Sequence, residues 1–454
     1  MTVQNSDNKM AGTLPKGFNL KWSTHQISFS MHFLILGYLT YYCTNRLEMA
    51  PAAVGVILLI SKLFDGVTDV IAAVVIERTK SKMGKGRPYV LLMPVVWVLT
   101  VLIFSTPEFG QAGKAFFIFA LYFMINSVGV TLVSAAEPVY LARSLKNPED
   151  SAVVLSLSGF AATIAGIIGG IMIPLLITHF ENGSMGWTWI SLIFAVPGMI
   201  LSFLRVALVK ERDDILVETV SEKFGFKDMF KVLMDNRHVI LLVVVQMLAN
   251  VFSGLGTAVM TYYFQYIVGN INSQALVTAA GVVGMLVLVF MPQLFKRFSV
   301  KQVMLAFMLV GAVGCLLRMI PVVPVLMISS MMTYAAVIPT GMLMPSLLID
   351  CMDYNEWKSG KRVEAVFGAM NSLASKVGSG MASVLAGVVM GLAGYDGSLA
   401  VQSAAANQSI IALYGWIPAI MFVIMFLLTR KYKIDEMMPQ VRRELEERKG
   451  NASC

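Results

Sequence analysis

LLISKLFDGVTDVIAAVVIERTKSKMGKGRPY, residues 58–89, changes character halfway. Its first part is apolar enough for a membrane interior, yet it holds Lys62, Asp65 and Asp69. Its second part is a basic loop with Arg78, Lys80, Lys82, Lys85 and Arg87. A charge in hydrocarbon costs several kcal/mol, so ionisable residues inside a membrane helix mark ion or solute pathways more often than decoration. Asp65 and Asp69 are four residues apart and share one helix face; Lys62 and Thr68 lie near that face. Two carboxylates this close need a proton, a basic partner or a bound cation. Oxygen ligands suit a hard ion such as sodium, for which Asp65 and Asp69 would be the metal ligands. The competing reading is a structural ion pair of an aspartate with Lys62 or Lys376.

The rest of the chain fits that setting. It is 57% hydrophobic and only 14% charged over 454 residues, with a mean hydropathy of +0.73. Soluble domains are about one quarter charged, so the composition predicts an all-α, multi-pass membrane protein. The first 23 residues have no apolar core and do not read as a signal peptide. A net charge of +8 would suggest nucleic acid only if the basic residues formed one patch. They are spread over loops, and no nucleic-acid partner is expected. Cys43, Cys315, Cys351 and Cys454 show no zinc or disulfide spacing. No nucleophile–base set, HExxH or phosphate-binding loop occurs, so an enzyme is not expected. A receptor or scaffold is disfavoured by the lack of a large extramembrane domain.

About 20 apolar residues cross the hydrocarbon as a helix. Twelve stretches qualify: 24–44, 51–76, 88–106, 114–140, 151–179, 187–209, 238–268, 274–295, 302–321, 324–349, 364–393 and 409–429. Lys and Arg concentrate in alternate loops, including Arg143 and Lys146, then Lys296, Arg297 and Lys301, then Lys358, Lys361 and Arg362. That bias places both termini in the cytoplasm of a cell whose plasma (inner) membrane holds the chain. The polar stretch 210–237 separates two six-span halves, 24–209 and 238–429, with a cytoplasmic segment 1–23 before them and a tail 430–454 after. A basic loop follows the second span of each half, and a six-plus-six arrangement is a transporter repeat pattern. FKDMFKVLMDN (226–236) reads as an amphipathic surface helix. The tail reads as a solvated helix starting near Pro439.

Other polar residues fall inside spans. Glu137 lies in VSAAEPVY with Ser134 one turn earlier, and Lys376 lies in SLASKVGSGMA. His25 and His32 share a stripe with Phe29 on the first span.

YYCTNRLEMAPAAVGVILLISKLFDGVTDV with RTKSKMGKGRPY, and IDCMDYNEWKSGKRVEAVFGAMNSLASKVGSG (349–380), resemble the glycoside–pentoside–hexuronide:cation symporters. These are the melibiose carrier family within the major facilitator fold, and the linker FKDMFKVL is similar as well. The resemblance implies two six-helix bundles and cation-coupled symport by alternating access. It implies cation binding by Asp65 and Asp69, with Thr68 nearby; the residues themselves add Ser134 and Glu137 as candidates. It assigns coupling to Lys376, and a cytoplasmic gate between the halves to Arg78, Arg87, Asp350, Asp353 and Glu356.

Departures concern the sugar site. Phe29 and Ala136 stand where melibiose-type carriers have aspartates, Tyr140 replaces a tryptophan, and a helix-ten tryptophan falls at Gly341. A helix-five arginine finds no counterpart between Lys146 and Arg205. Phe29, His32 and Tyr140 are the candidate solute-binding residues. The expected cargo is a small organic solute, a sugar or glycoside, with a less polar aromatic or lipid-like solute as the alternative. Its partners are that solute and the lipid bilayer. It needs no cofactor beyond the transported Na+ or H+, and it is expected to be a monomer.

Overall fold

In the computed structural model, residues 17–145, 148–180, 183, 185–211, 237–359 and 364–452 are described. They form helices joined by short turns, with no strand among the described residues. The expected linker helix at 226–236 lies outside them.

The spans appear where apolar length predicted them. They are α1 (Phe18–Gly37), α2 (Pro51–Arg78), α3 (Arg87–Ile103), α4 (Gln111–Ser144), α5 (Pro148–Phe180) and α6 (Gly186–Leu208). After the linker come α7 (Arg237–Tyr262), α8 (Ser273–Phe295), α9 (Val300–Leu317), α10 (Val323–Ser359), α11 (Glu364–Leu392) and α12 (Ala404–Arg430). Nine helices among the described residues are long and apolar enough to cross a membrane. Large apolar side chains remain exposed along them, such as Val67, Phe160, Phe203, Val289 and Phe290, as a lipid-facing surface requires.

By contacts the chain forms two units, Met1–Tyr42 with Ile60–Val220 and Cys43–Leu59 with Ser221–Cys454. The division passes through α2, so residues 43–59 group with the second unit, whereas the sequence placed all of 24–209 in one half. In the first unit α1 packs on α5 and α6, and α6 covers α3. In the second, α7 packs on α11, and α10 packs on α8 and α9.

Two helices open their ladders into π turns at matching places. α1 continues through Leu39–Tyr41 into a π turn at Tyr42–Arg46, and α7 runs directly into one at Tyr263–Ile267. Each follows a Thr-Tyr-Tyr sequence, Thr40-Tyr41-Tyr42 and Thr261-Tyr262-Tyr263. A third π turn, Met124–Val130, lies inside α4. Such turns add a residue to one turn and re-aim the side chains that follow.

Two expectations need correction. α10 has 37 residues, about 55 Å at 1.5 Å per residue, so it projects well past the hydrocarbon instead of ending at 349. The tail helix, α13 (Ile434–Ala452), begins five residues before Pro439 and is not simply solvated. Ile434, Met438, Val441 and Leu445 form a buried stripe against α10. Arg442 pairs with Asp350 at 2.8 Å, and Trp357 Nε1 donates to Glu444 at 2.6 Å. Burial of that stripe outweighs the backbone hydrogen bond that Pro439 cannot donate.

Candidate functional site

α2 carries its acids on the first unit's part of the helix. Asp65 is buried, with its side chain 5% exposed, and Asp69 and Thr68 are half-buried. Lys62, one turn earlier and 20% exposed, donates from Nζ to Asp65 Oδ2 at 3.2 Å. The ammonium therefore supplies positive charge to this carboxylate, which is the ion pair the sequence allowed as an alternative. The other oxygen meets α4: Ser127 Oγ lies 2.5 Å from Asp65 Oδ1 and 3.0 Å from the Ser61 carbonyl. Ser127 belongs to the π turn of α4. Thr68 turns its hydroxyl back to its own helix, 3.2 Å from the carbonyls of Phe64 and Asp65.

Ser127 was missed from sequence, where Ser134 was named for its place one turn before Glu137. Ser134 is exposed on α4.

Glu137 has other partners. Its Oε2 accepts from Arg205 Nη2 at 2.6 Å, and its Oε1 accepts from Gln26 Nε2 at 2.7 Å. Arg205 of α6 is fully buried, with its guanidinium 3.5 Å from the Trp22 ring and 4.9 Å from that of Tyr140. A planar, weakly hydrated cation over an indole is a favourable arrangement, and a carboxylate completes it. The stretch after Lys146 that holds no helix-five arginine ends at Arg205, and the buried guanidinium comes from there, on α6.

The candidate solute contacts are partly structural. His32 is buried, with Nε2 3.0 Å from Thr100 Oγ1 and its ring edge-on to Trp97. Tyr140 is buried in an apolar cluster with Phe18 and Trp22, and its hydroxyl donates to the Val209 carbonyl at 2.7 Å. Phe29 is half-buried between His25 and Phe33. Lys376 is half-buried on α11, and its carbonyl accepts from Ser379 Oγ at 3.1 Å.

Of the residues expected in a gate, Arg78 is exposed at the end of α2. Arg87 donates from Nε and Nη2 to the Val206 carbonyl at 2.9 and 2.5 Å, inside its own unit. Asp350 pairs with Arg442 of the tail, also inside its own unit, and Asp353 and Glu356 are half-buried on α10. The basic loop has a partner that sequence did not reveal. Glu211 accepts from the backbone N–H groups of Lys85, Gly86 and Arg87 at 2.8, 2.7 and 2.5 Å, with Arg143 Nε 3.4 Å away. A Cβ on Gly86 would lie 2.8 Å from the Tyr140 backbone nitrogen, so only glycine lets the loop approach α4 this closely.

No group of three or more His, Cys, Asp or Glu side chains able to hold a metal occurs among the described residues. The chemistry on offer is a buried carboxylate balanced by an ammonium and a hydroxyl, within helices of membrane-spanning length.

Comparisons agree with that setting. A family model described as MFS/sugar transport protein matches residues 27–436. The chain is 27% identical over 438 residues to the isoprimeverose transporter of Lactiplantibacillus pentosus, covering 93% of this chain and 88% of that one. It is 30% identical over 423 residues to an uncharacterized symporter, YjmB, of Bacillus subtilis (strain 168), covering 90% and 91%. Among solved structures, a bacterial homolog to the human lysosomal transporter Spinster matches with a TM-score of 0.64 at 15% identity, covering 92% of this chain and 97% of that one.

Proposed function

The chain belongs to the MFS/sugar transport protein family, a multi-pass transporter family of the twelve-helix major facilitator fold, and from that premise we propose that it is a cation-coupled symporter of a sugar or glycoside. The relatives named for isoprimeverose transport and for symport support this cargo and this coupling. The observation that carries the coupling is Asp65, a buried carboxylate held between the Lys62 ammonium and the Ser127 hydroxyl.

Sodium or a proton, arriving with the solute, takes the Asp65 carboxylate and leaves Lys62 as the counter-charge of Asp69, so two positive charges balance the two acids. Neutral carriers then reorient, and carriers with bare acids do not, which couples the two fluxes. The membrane potential contributes about 2.3 kcal/mol per charge per 100 mV to cation entry. The protein works as a monomer in the plasma membrane with both termini in the cytoplasm, and its partners are the solute and the bilayer. It transports without chemical conversion. Glu137, bound to Arg205 and Gln26, serves as a brace between α1, α4 and α6 and not as a cation ligand.

The test is uptake in proteoliposomes by Asp65→Asn and Asp69→Asn variants. Gradient-driven accumulation is expected to vanish while solute exchange without a gradient persists. Accumulation with unaltered ion dependence in both variants refutes the assignment.

A further inference from the structure

Two arginines are buried among aromatic rings, Arg205 in the first unit and Arg318 in the second. Arg205 has Glu137 as its acid. Arg318, 7% exposed at the end of α9, has no acid beside it among the described residues. The side chains that act on its charge are those of Tyr414, Cys315, Tyr334 and Tyr263. The acids of α10 begin at Asp350, about 24 Å along that helix from Tyr334. A guanidinium stays protonated in a protein, and a buried charge without a counter-charge is among the costliest groups to enclose.

The side chain is anchored without being neutralised. Nη1 donates to the Tyr414 carbonyl at 3.2 Å, and Nη2 donates to Thr333 Oγ1 at 3.1 Å. Thr333 gives its own proton to the carbonyls of Ser329 and Ser330, so it serves the arginine only as an acceptor. The guanidinium carbon lies 4.3 Å from the centre of the Tyr414 ring, and the Tyr263 hydroxyl donates to the Arg318 carbonyl at 2.5 Å. Tyr414 belongs to a π turn, Ala412–Trp416, inside α12, so α9, α10 and α12 meet at this one cation.

Donors are left over. Of the five guanidinium N–H groups, these two bonds use two. The hydroxyls of Tyr334 and Tyr414 lie within electrostatic reach of Arg318 and of each other, and neither bonds to a described residue. Neither hydroxyl is fully enclosed, nor is Arg318 Nε, so each borders some free space. Around them the helices pack closely. A Cβ on Gly314 would lie 3.0 Å from Thr333 Cγ2, and one on Gly415 would lie 3.3 Å from Met319 Cγ. One positive charge, a surplus of donors and close walls suit a one-atom monovalent anion better than a phosphate or a sugar acid.

We propose that Arg318, with the hydroxyls of Tyr334 and Tyr414, binds one small inorganic anion, chloride, as a resident counter-ion of the second unit. The ion ties α9, α10 and the π turn of α12 together. It is distinct from both the solute and the coupling cation.

The experiment is thermal unfolding of the full chain in sodium gluconate, titrated with sodium chloride at constant sodium and ionic strength. Tm rises saturably with chloride, and bromide substitutes for it. Arg318→Gln, which needs no counter-ion, shows no chloride response. Tyr334→Phe and Tyr414→Phe keep the arginine and decide the matter even if Arg318→Gln fails to fold. Each raises the half-saturating chloride concentration about 10-fold, since one hydrogen bond to the ion is lost. A wild-type Tm indifferent to chloride overturns the proposal and shows that protein groups alone satisfy Arg318. An equal response in Arg318→Gln, or an unchanged midpoint in both tyrosine variants, overturns it as an adventitious ion only. Stabilisation by D-glucuronate and not by chloride also overturns it, by assigning the guanidinium to a carboxylate of the solute. Because sodium is held constant, failure here leaves the symport reading untouched.

Discussion

Replacing Lys62 with methionine removes the internal cation while keeping the length and apolar stem of the side chain. At 3.2 Å the gross attraction between Nζ and Asp65 is about 5 kcal/mol for an effective dielectric of ~20. Taking both ions out of water offsets most of it, and Lys62 is still 20% exposed, which leaves about 1–2 kcal/mol net. The lysine competes with the coupling ion for the same carboxylate. Removing it makes ion binding tighter by that amount, a 5- to 30-fold fall, by order of magnitude, in the half-saturating concentration. The assay is solute uptake into proteoliposomes against sodium at fixed pH, and against pH without sodium. One of the two curves is expected to move toward lower ion concentration while the solute KM at saturating ion stays near wild type. Half-saturation that is unchanged or raised on both curves refutes competition, and with it the idea that Lys62 stands where the ion goes.

Two further outcomes follow from the first unit's ion pairs. Arg205→Leu leaves Glu137 without its cation and strips Trp22 of its stacked guanidinium, at a cost of about 3 kcal/mol. The double variant Arg205→Leu with Glu137→Gln recovers most of that loss in thermal unfolding, and simple additivity of the two single changes is the contrary result. Glu211→Ala orphans three backbone N–H groups at residues 85–87, costing about 2 kcal/mol locally. Amide exchange across residues 83–90 therefore speeds up by about 30-fold, and unaltered protection there shows that the loop is held by something else.

Legibility varied with the kind of signal. Every span was visible because the hydrocarbon imposes one requirement on all of them, a long apolar run, and composition satisfies it without regard to neighbours. The α2 acids were visible for the converse reason, since charge stands out against such a background. Thr-Tyr-Tyr at 40–42 and 261–263 was present in the sequence but gained meaning only when both copies proved to end the first helix of a half in a π turn.

The sequence by itself determined the number and place of the helices and the pair of acids that need a counter-charge. Tertiary structure alone decided their partners: Ser127 in place of Ser134 beside Asp65, Arg205 beside Glu137, Glu211 under the basic loop, and a stripe of the tail against α10. The reason is one of range. Solvent and membrane act on each residue through its own polarity, which the sequence spells out. Hydrogen bonds and ion pairs act over about 3 Å between residues 62 to 126 positions apart, and a single π turn is enough to change which pair meets.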